Sequence, residues 1–273
     1  VTAGLGRLGG RILVALAIIL ALGALGRGVY LAELEEDPDF AHPIVDAYYH
    51  DYWARAMATG NWAPPRLEND PQIQKHPYFR PPGYPYILSL VYRVTGPGYV
   101  GPRVVQMLVG LLNVLLAFLL ARRLFGDLAG LVTAACMAVY WTFVYFEGEF
   151  LEPVFTTLLT LWLVMALSAW SRAPSVPRML HASLVLGGLC LVRPNALAWL
   201  VPWVLWVLAG RRRRLGLVSV AILLAGVVVA VAPVTVRNLV VGDDLVPISS
   251  NGGVNLYIGN NDRADGLVRG TMP

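Results

Sequence analysis

The sequence predicts an all-α polytopic membrane protein, with about seven transmembrane helices and a large first outer loop that carries juxtamembrane helices. Of the 273 residues, 57% are hydrophobic and only 14% are charged, and the mean hydropathy of +0.61 exceeds that of soluble domains. Apolar stretches recur at roughly the 20 residues that cross a bilayer. Arginines collect beside alternate ends of these stretches. This composition excludes a soluble enzyme, a disordered tail and a disulfide-stapled secreted module.

Seven apolar stretches are the candidate spans. In chain order they are 12–31, 104–120, 128–145, 150–170, 180–192, 197–209 and 215–234. The first has a basic start like that of a signal peptide, but it is long and has no clear small-residue cleavage site, so we expect a retained anchor. The two stretches beside Arg193-Pro194-Asn195 are short. They could form a hairpin of tilted helices, or one could be re-entrant.

The basic residues predict the orientation, because short cytoplasmic loops hold an excess of Lys and Arg. With the N-terminus inside, the inner segments contain Arg7, Arg11, Arg122, Arg123, Arg172, Arg178 and Arg211 through Arg214. The short outer turns contain only Arg193. All of the 17 acidic residues except Asp127 then lie outside. We therefore expect a cytoplasmic N-terminus and a functional site at the outer face.

Four regions follow from this topology. Residues 1–31 form the cytoplasmic N-terminus and first span, 32–103 an outer loop with juxtamembrane helices, 104–234 the transmembrane core, and 235–273 an outer polar loop in which we expect the chain to be truncated. The loop 32–103 is dense in Trp, Tyr, His, Pro and Asp, which a lipid-facing helix would not tolerate. Within it we predict a surface helix over 43–59, with Pro43 in its first turn and Gly60 at its end, and a second over 84–94.

His42, Asp46 and His50 are spaced four residues apart, which on a helix places them on one face. This spacing could hold a divalent metal, with Asp51 or His76 completing the ligands. The alternative is a solvated polar face at the water boundary.

Charged residues elsewhere on the outer side have two interpretations each. Arg80 precedes a Pro-Pro-Gly turn, where it could bind a lipid phosphate bidentately or simply anchor the segment. Glu147, Glu149 and Glu152 cluster near a span end, where acids need a partner or a wet cavity. Their cationic candidates are Arg80, Arg193 and Arg237.

Six segments of the chain form a recognisable set: 46–62 (DAYYHDYWARAMATGNW), 78–92 (YFRPPGYPYILSLVY), 121–126 (ARRLFG), 191–195 (LVRPN), 236–240 (VRNLV) and 251–261 (NGGVNLYIGNN). Together they resemble the polyprenyl-phosphate-sugar glycosyltransferases of the GT-C superfamily. The nearest branch is the bacterial protein mannosyltransferase-like and lipid A aminoarabinose transferase-like group. The resemblance covers nearly the whole chain and implies an N-terminal part of such an enzyme.

The resemblance implies that Asp46 is the general base and that Arg80 binds the donor phosphate, with Arg193 and Arg237 as further phosphate-binding candidates. It implies transfer with inversion, from a polyprenyl-phosphate sugar to an envelope acceptor, in the inner (plasma) membrane and without a required cofactor. Pocket candidates are Tyr49, His50, Tyr84, Glu149 and Glu152. Asp46-Ala47 stands where the mannosyltransferase branch usually has Asp-Glu, so protein O-mannosylation is not implied.

Two other classes of protein remain open on the sequence. A transporter or flippase of lipid-linked saccharides would need charges at the mid-depth of the spans and broken helices in repeated positions. We expect the charges at the span ends instead, and the sequence shows no repeat. A non-catalytic envelope assembly subunit would tolerate loss of Asp46. The net charge of +4 indicates no nucleic-acid partner.

Overall fold

A computed structural model describes residues 9–62, 78–209, 213–262 and 264. These ranges contain helices and no strand, so the predicted all-α fold is confirmed. The α-helices are α1 (Gly10–Glu35), α2 (Val45–Ala58), α3 (Gly83–Thr95), α4 (Val100–Phe125), α5 (Asp127–Val139), α6 (Trp141–Gly148), α7 (Pro153–Arg172), α8 (Val176–Val192), α9 (Leu200–Ala209), α10 (Arg213–Gly242) and α11 (Gly252–Gly259). Short 3-10 helices occupy Pro38–Ala41 and Pro194–Trp199.

The described ranges contain fewer spans than the seven we predicted. Four helices are long and apolar enough to cross a membrane: α1, α4, α7 and the Gly216–Gly242 part of α10. Helices α5 and α6 make a fifth if their 50° bend is a break within one span. Helix α8 has 17 residues and α9 has 10, which is about 26 and 15 Å against a hydrocarbon core of roughly 30 Å. The Arg193-Pro194 interruption therefore separates two helices that are both shorter than the roughly 20 residues of a typical span.

Both predicted surface helices are present in the first loop. The first begins later than predicted, at Val45, because Pro43 lies before the helix and Ile44 is its N-cap. It ends before Gly60, which adopts a left-handed φ of 91° that glycine tolerates. The second is α3, one residue longer at each end than predicted. The two helices pack against each other.

Close packing joins the membrane helices. Helix α8 lies between α7 and α10, and Met179, Leu186 and Leu223 are fully buried there. A Cβ atom on Gly226 of α10 would come within 2.1 Å of the Ser183 hydroxyl of α8. Since lipid tails are as apolar as leucine, such close approach and buried polar contacts hold spans together more than the hydrophobic effect does.

A buried ion pair joins the first span to the broken one. Arg27 Nε lies 2.6 Å from Glu147 Oε2, its Nη2 lies 2.7 Å from Oε1, and both side chains are 2% exposed. Arg27 Nη1 also donates to the Ala138 carbonyl at 3.1 Å. Our expectation that charges sit at span ends is wrong for Arg27, which lies about two turns before Glu35.

Candidate functional site

A cavity of about 500 Å³ lies where the first turn of α2, the turn before α3, the start of α7, the end of α8 and helix α11 meet. Six of the residues predicted for the site line it: Asp46, His50, Arg80, Tyr84, Glu152 and Arg193. The helices thus bring segments that are far apart in the chain to one place.

Asp46 lies in the first turn of α2, where the helix dipole favours a negative charge. The chain enters this turn through Val45 at φ 51°, a left-handed conformation that is strained for a β-branched residue. The Asp46 side chain is 51% exposed and accepts a hydrogen bond from Arg80 Nη1. A carboxylate that is ionised and reached by solvent can accept a proton from a bound hydroxyl group.

Arg80 is held by two neighbours, and one of its buried nitrogen atoms has no hydrogen-bond partner within the described ranges. Its guanidinium carbon lies 4.3 Å from the centre of the Tyr49 ring, a cation–π distance, and its Nη1 donates to Asp46. The side chain is only 17% exposed. Its buried Nε has no hydrogen-bond partner within the described ranges. Such an unsatisfied donor is costly unless a ligand completes it.

His50 and Tyr84 form the buried floor of the cavity. His50 Nδ1 donates to the Phe150 carbonyl at 2.9 Å, because a carbonyl can only accept, and the ring packs edge-on against Tyr84 at 5.0 Å. The Tyr84 hydroxyl donates to Gln106 Oε1 at 2.6 Å. Burial lowers the pKa of His50 and raises the pKa of Tyr84. Both side chains are therefore neutral at pH 7.

Glu152 and Arg193 form a second ion pair in the cavity, with Arg193 Nη1 3.1 Å from Glu152 Oε1. Glu152 is the N-cap residue of α7 and Arg193 the C-cap residue of α8. The start of α3 touches the end of α8, because a Cβ atom on Gly83 would lie 2.6 Å from the Leu191 carbonyl. This contact holds the turn that contains Arg80 beside the end of α8, where Arg193 lies.

The remaining predicted residues lie outside the cavity lining. Tyr49 is not part of the lining, but its ring lies against the Arg80 guanidinium. Glu149 lies near Arg103, and burial raises the pKa of its carboxyl group. Arg237 contacts the Trp53 ring at 5.3 Å and the Trp62 carbonyl at 3.4 Å.

The predicted alternative of a metal site on one helix face is not formed. His42 precedes α2 and caps a 3-10 helix, so it cannot share a helix face with Asp46 and His50. Within the described ranges no three His, Cys, Asp or Glu side chains are grouped to hold a metal ion. His76 lies outside the described residues.

Four asparagines that were not predicted for the site also line the cavity: Asn195, Asn251, Asn255 and Asn260. The segment before α11 is joined directly to the turn that carries Arg80, because Ser250 and Asn251 donate backbone hydrogen bonds to the carbonyls of Tyr78 and Phe79 at 3.1 and 3.2 Å. The signal available in the sequence was the density of Asn between positions 251 and 261. Nothing in it indicated that this segment would meet α2.

Two comparisons with known proteins give matches. The family model described as dolichyl-phosphate-mannose-protein mannosyltransferase matches residues 77–236. This range contains Arg80, Glu152 and Arg193, whereas Asp46 and α11 lie outside it. The undecaprenyl phosphate-alpha-4-amino-4-deoxy-L-arabinose arabinosyl transferase 2 of Pseudomonas fluorescens (strain Pf0-1) is 30% identical over 164 residues. That match covers 55% of this chain and 28% of the relative. No solved structure matches.

Proposed function

The chain belongs to the dolichyl-phosphate-mannose-protein mannosyltransferase family, and we propose that it carries the catalytic site of a membrane glycosyltransferase. In this proposal a hexose or pentose passes from a polyprenyl-phosphate donor to an acceptor of the cell envelope, with inversion at the anomeric carbon. The Pseudomonas fluorescens relative, whose name includes an undecaprenyl phosphate sugar, supports a lipid-phosphate donor. The chain spans less than a third of that relative.

One observation carries the proposal: Asp46 and Arg80 meet at the wall of one cavity, and Arg80 has a buried Nε donor without a partner in the described ranges. A phosphate oxygen would satisfy that donor. Phosphate would also compete with Asp46 for the guanidinium, since both are anions that the planar fork of Arg binds well. The site thus offers a place for the leaving group beside a carboxylate.

The chemistry follows from these two residues. The acceptor hydroxyl oxygen attacks the anomeric carbon of the donor, the bond from that carbon to the phosphate oxygen breaks, and the electron pair leaves with the phosphate. Asp46 takes the proton of the acceptor hydroxyl. Arg80 stabilises the charge that grows on the phosphate, and Arg193 on the same cavity is placed to assist. Attack opposite the leaving group inverts the anomeric centre.

We propose that the transfer reaction requires no cofactor, because the phosphate of the donor already serves as the leaving group. Full activity in excess EDTA would support this, and loss of activity that Mg²⁺ or Mn²⁺ restores would contradict it.

The arginine pattern of the sequence supports a cytoplasmic N-terminus, with the cavity at the outer face of the inner membrane. Segments on the cavity side are rich in acidic residues, whereas Arg122, Arg123 and Arg172 end their helices on the other side. Cysteines introduced at Thr59 and Arg123 provide a test in intact cells. A membrane-impermeant maleimide should label the first position and not the second, and the reverse pattern would overturn this orientation.

The experiment that tests the function uses the purified protein in lipid nanodiscs. Radiolabelled undecaprenyl-phosphate sugars are incubated with an envelope extract, and the label is followed into acceptor lipid, glycan and protein. Transfer that requires the protein and is lost in Asp46→Asn supports the proposal. Movement of labelled lipid across the bilayer without transfer would favour a flippase. An assembly subunit would be favoured if the protein neither transfers the sugar nor moves the lipid and if Asp46→Asn does not affect cell growth.

A further inference from the structure

Four of the nine cavity-lining residues that are neither charged nor aromatic are asparagines. Asn195 lies in the 3-10 helix after α8, and Asn251 and Asn255 lie one turn apart at the start of α11. Residues four apart share one face of a helix. Two separate segments therefore present carboxamide groups to the same space as Asp46 and Arg80.

These amides have hydrogen-bonding capacity to spare. The side chains of Asn195 and Asn255 are exposed and make no hydrogen bond with other described residues. Asn251 Oδ1 accepts from the Ser249 hydroxyl at 3.0 Å, which leaves its NH₂ group available. A carboxamide offers both donors and acceptors, as a sugar hydroxyl does. Unpaired amides in a cavity therefore suit a polyhydroxylated ligand.

Their position relative to Arg80 suits the donor. The sugar is bonded directly to the phosphate, so a phosphate site at Arg80 requires a sugar site beside it. The backbone of Asn251 is hydrogen-bonded to the carbonyl of Phe79, the residue before Arg80. The amides at the start of α11 are therefore fixed to the element that carries the phosphate-binding residue.

The charges of the lining favour a neutral sugar. Each of the two cavity carboxylates, Asp46 and Glu152, already has an arginine partner. A cationic amino sugar would have to break the pair of Arg193 with Glu152 or occupy Asp46, the proposed base, and an acidic sugar would meet the carboxylates. We infer that Asn195, Asn251 and Asn255 bind the hydroxyl groups of a neutral donor sugar, an inference that rests on the glycosyltransferase function proposed above.

The test measures dissociation constants of lipids for the purified protein in nanodiscs. The probes are undecaprenol, undecaprenyl phosphate, and undecaprenyl phosphates that carry glucose, mannose, galactose or glucosamine. The wild type should bind a neutral sugar lipid more tightly than undecaprenyl phosphate and than the glucosamine lipid. Asn195→Ala and Asn255→Ala should each weaken binding of the preferred sugar lipid about three- to tenfold, the contribution of one hydrogen bond. The dissociation constant of undecaprenyl phosphate should stay within about twofold of the wild-type value. The exposed Asn61→Ala, outside the cavity, is the matched control.

A charge swap provides an independent check. Asn255→Asp should shift the preference towards the glucosamine lipid, because it adds a carboxylate without an arginine partner. The inference would be overturned if the wild type binds the glucosamine lipid most tightly. It would also be overturned if the Asn variants leave binding of the sugar lipids unchanged, or weaken binding of undecaprenyl phosphate by the same factor. The proposed function survives such an outcome if Arg80→Ala weakens the binding of undecaprenyl phosphate. If the wild type binds undecaprenyl phosphate no better than undecaprenol, the proposed function fails, and this inference fails with it.

Discussion

Arg80 donates a hydrogen bond from Nη1 to Oδ1 of Asp46, so the proposed phosphate-binding residue and the proposed base are partners in one ion pair. In this arrangement the guanidinium holds the carboxylate that should receive the proton. A donor phosphate at Arg80 would compete for the same guanidinium and release Asp46 towards the acceptor. The base thus becomes available where the leaving group is bound.

The first prediction concerns Asp46→Asn. The amide keeps the size of the side chain but cannot take a proton, so turnover should fall by roughly 10²- to 10⁴-fold, the usual contribution of a general base. Donor affinity should not fall and should increase if anything, because the neutral amide competes less than the carboxylate for the Arg80 guanidinium. Single-turnover transfer and equilibrium binding of undecaprenyl phosphate measure the two effects. Asp127→Asn is the control, because its carboxylate pairs with Arg122 outside the cavity. Equal loss of turnover in both variants would contradict the role of Asp46.

The second prediction concerns Arg80→Ala. Loss of a charge-assisted contact should weaken binding of undecaprenyl phosphate by about 10- to 100-fold and leave undecaprenol binding unchanged. Arg80→Lys should recover part of the affinity, because a lysine keeps the charge but not the planar fork. Arg122→Ala removes an arginine from a pair outside the cavity and serves as the control. Unaltered phosphate dependence in Arg80→Ala would argue against its proposed role.

The third prediction compares two helical glycines. A Cβ atom on Gly83 would lie 2.6 Å from the Leu191 carbonyl, whereas one on Gly188 would meet nothing within 4 Å. Since the neighbour of Gly83 is backbone, Gly83→Ala must push α3 away from α8, and such overpacking costs about 1–3 kcal/mol. Thermal unfolding in detergent should show a lower midpoint for Gly83→Ala. Gly188→Ala should equal or exceed the wild type, and equal midpoints for both variants would contradict the close contact.

Sequence patterns predicted where the helices of this protein lie better than they predicted how many of those helices are full spans. Each apolar stretch falls in a helical part of the chain, because hydropathy is a local property. The number of spans was overestimated because hydropathy does not show that a helix is interrupted, as at Arg193-Pro194, or bent by 50° between α5 and α6. The late start of α2 was missed because the strained conformation at Val45 has no sequence signal.

The charged part of the site could be predicted, and its neutral part could not. Asp46 and Arg80 attract notice because a charge at membrane depth requires an explanation. The same argument could have identified Arg27, although its partner Glu147 is 120 residues away. Asn195 and Asn255 are neutral, and such residues also occur in ordinary loops. Only the structure shows that they line the cavity, with the segment before α11 hydrogen-bonded to the turn that holds Arg80.

The fourth prediction concerns pH. Burial lowers the pKa of His50 below its ordinary value of about 6.5, so the unfolded chain takes up a proton there before the folded protein does. The free energy of unfolding should therefore decrease as the pH falls through about 6.5, and this loss should grow until the folded protein also binds the proton. Denaturation in urea at several pH values measures the slope.

The variant His50→Asn removes this titration and keeps an NH donor for the Phe150 carbonyl, so its stability should depend less on pH between 7 and 5 than that of the wild type. His181→Asn is the control, because the His181 ring is exposed and accepts a hydrogen bond from Trp162 Nε1 at 2.9 Å. A pH slope that persists unchanged in His50→Asn would refute the assignment to His50.

The last prediction concerns the buried pair of Arg27 and Glu147. Arg27→Met leaves the Glu147 carboxylate buried without its two short hydrogen bonds, and breaking such a pair costs roughly 3–5 kcal/mol. Glu147→Leu should cost a similar amount. The double variant should be much closer to the wild type, because it buries no charge. The difference between the double variant and the sum of the single variants, from unfolding in detergent, measures the coupling.

Activity separates two roles for this pair. If the pair only holds α1 against α6, the folded double variant should keep its donor affinity and turnover. Neither side chain lines the cavity that contains Asp46 and Arg80. A double variant that is stable and inactive would instead show that the pair positions the site. The route would run through Gln106, whose Nε2 donates to the Glu147 carbonyl at 2.8 Å and whose Oε1 accepts from the Tyr84 hydroxyl. Gln106→Leu should reproduce such a loss, because it removes both of these hydrogen bonds.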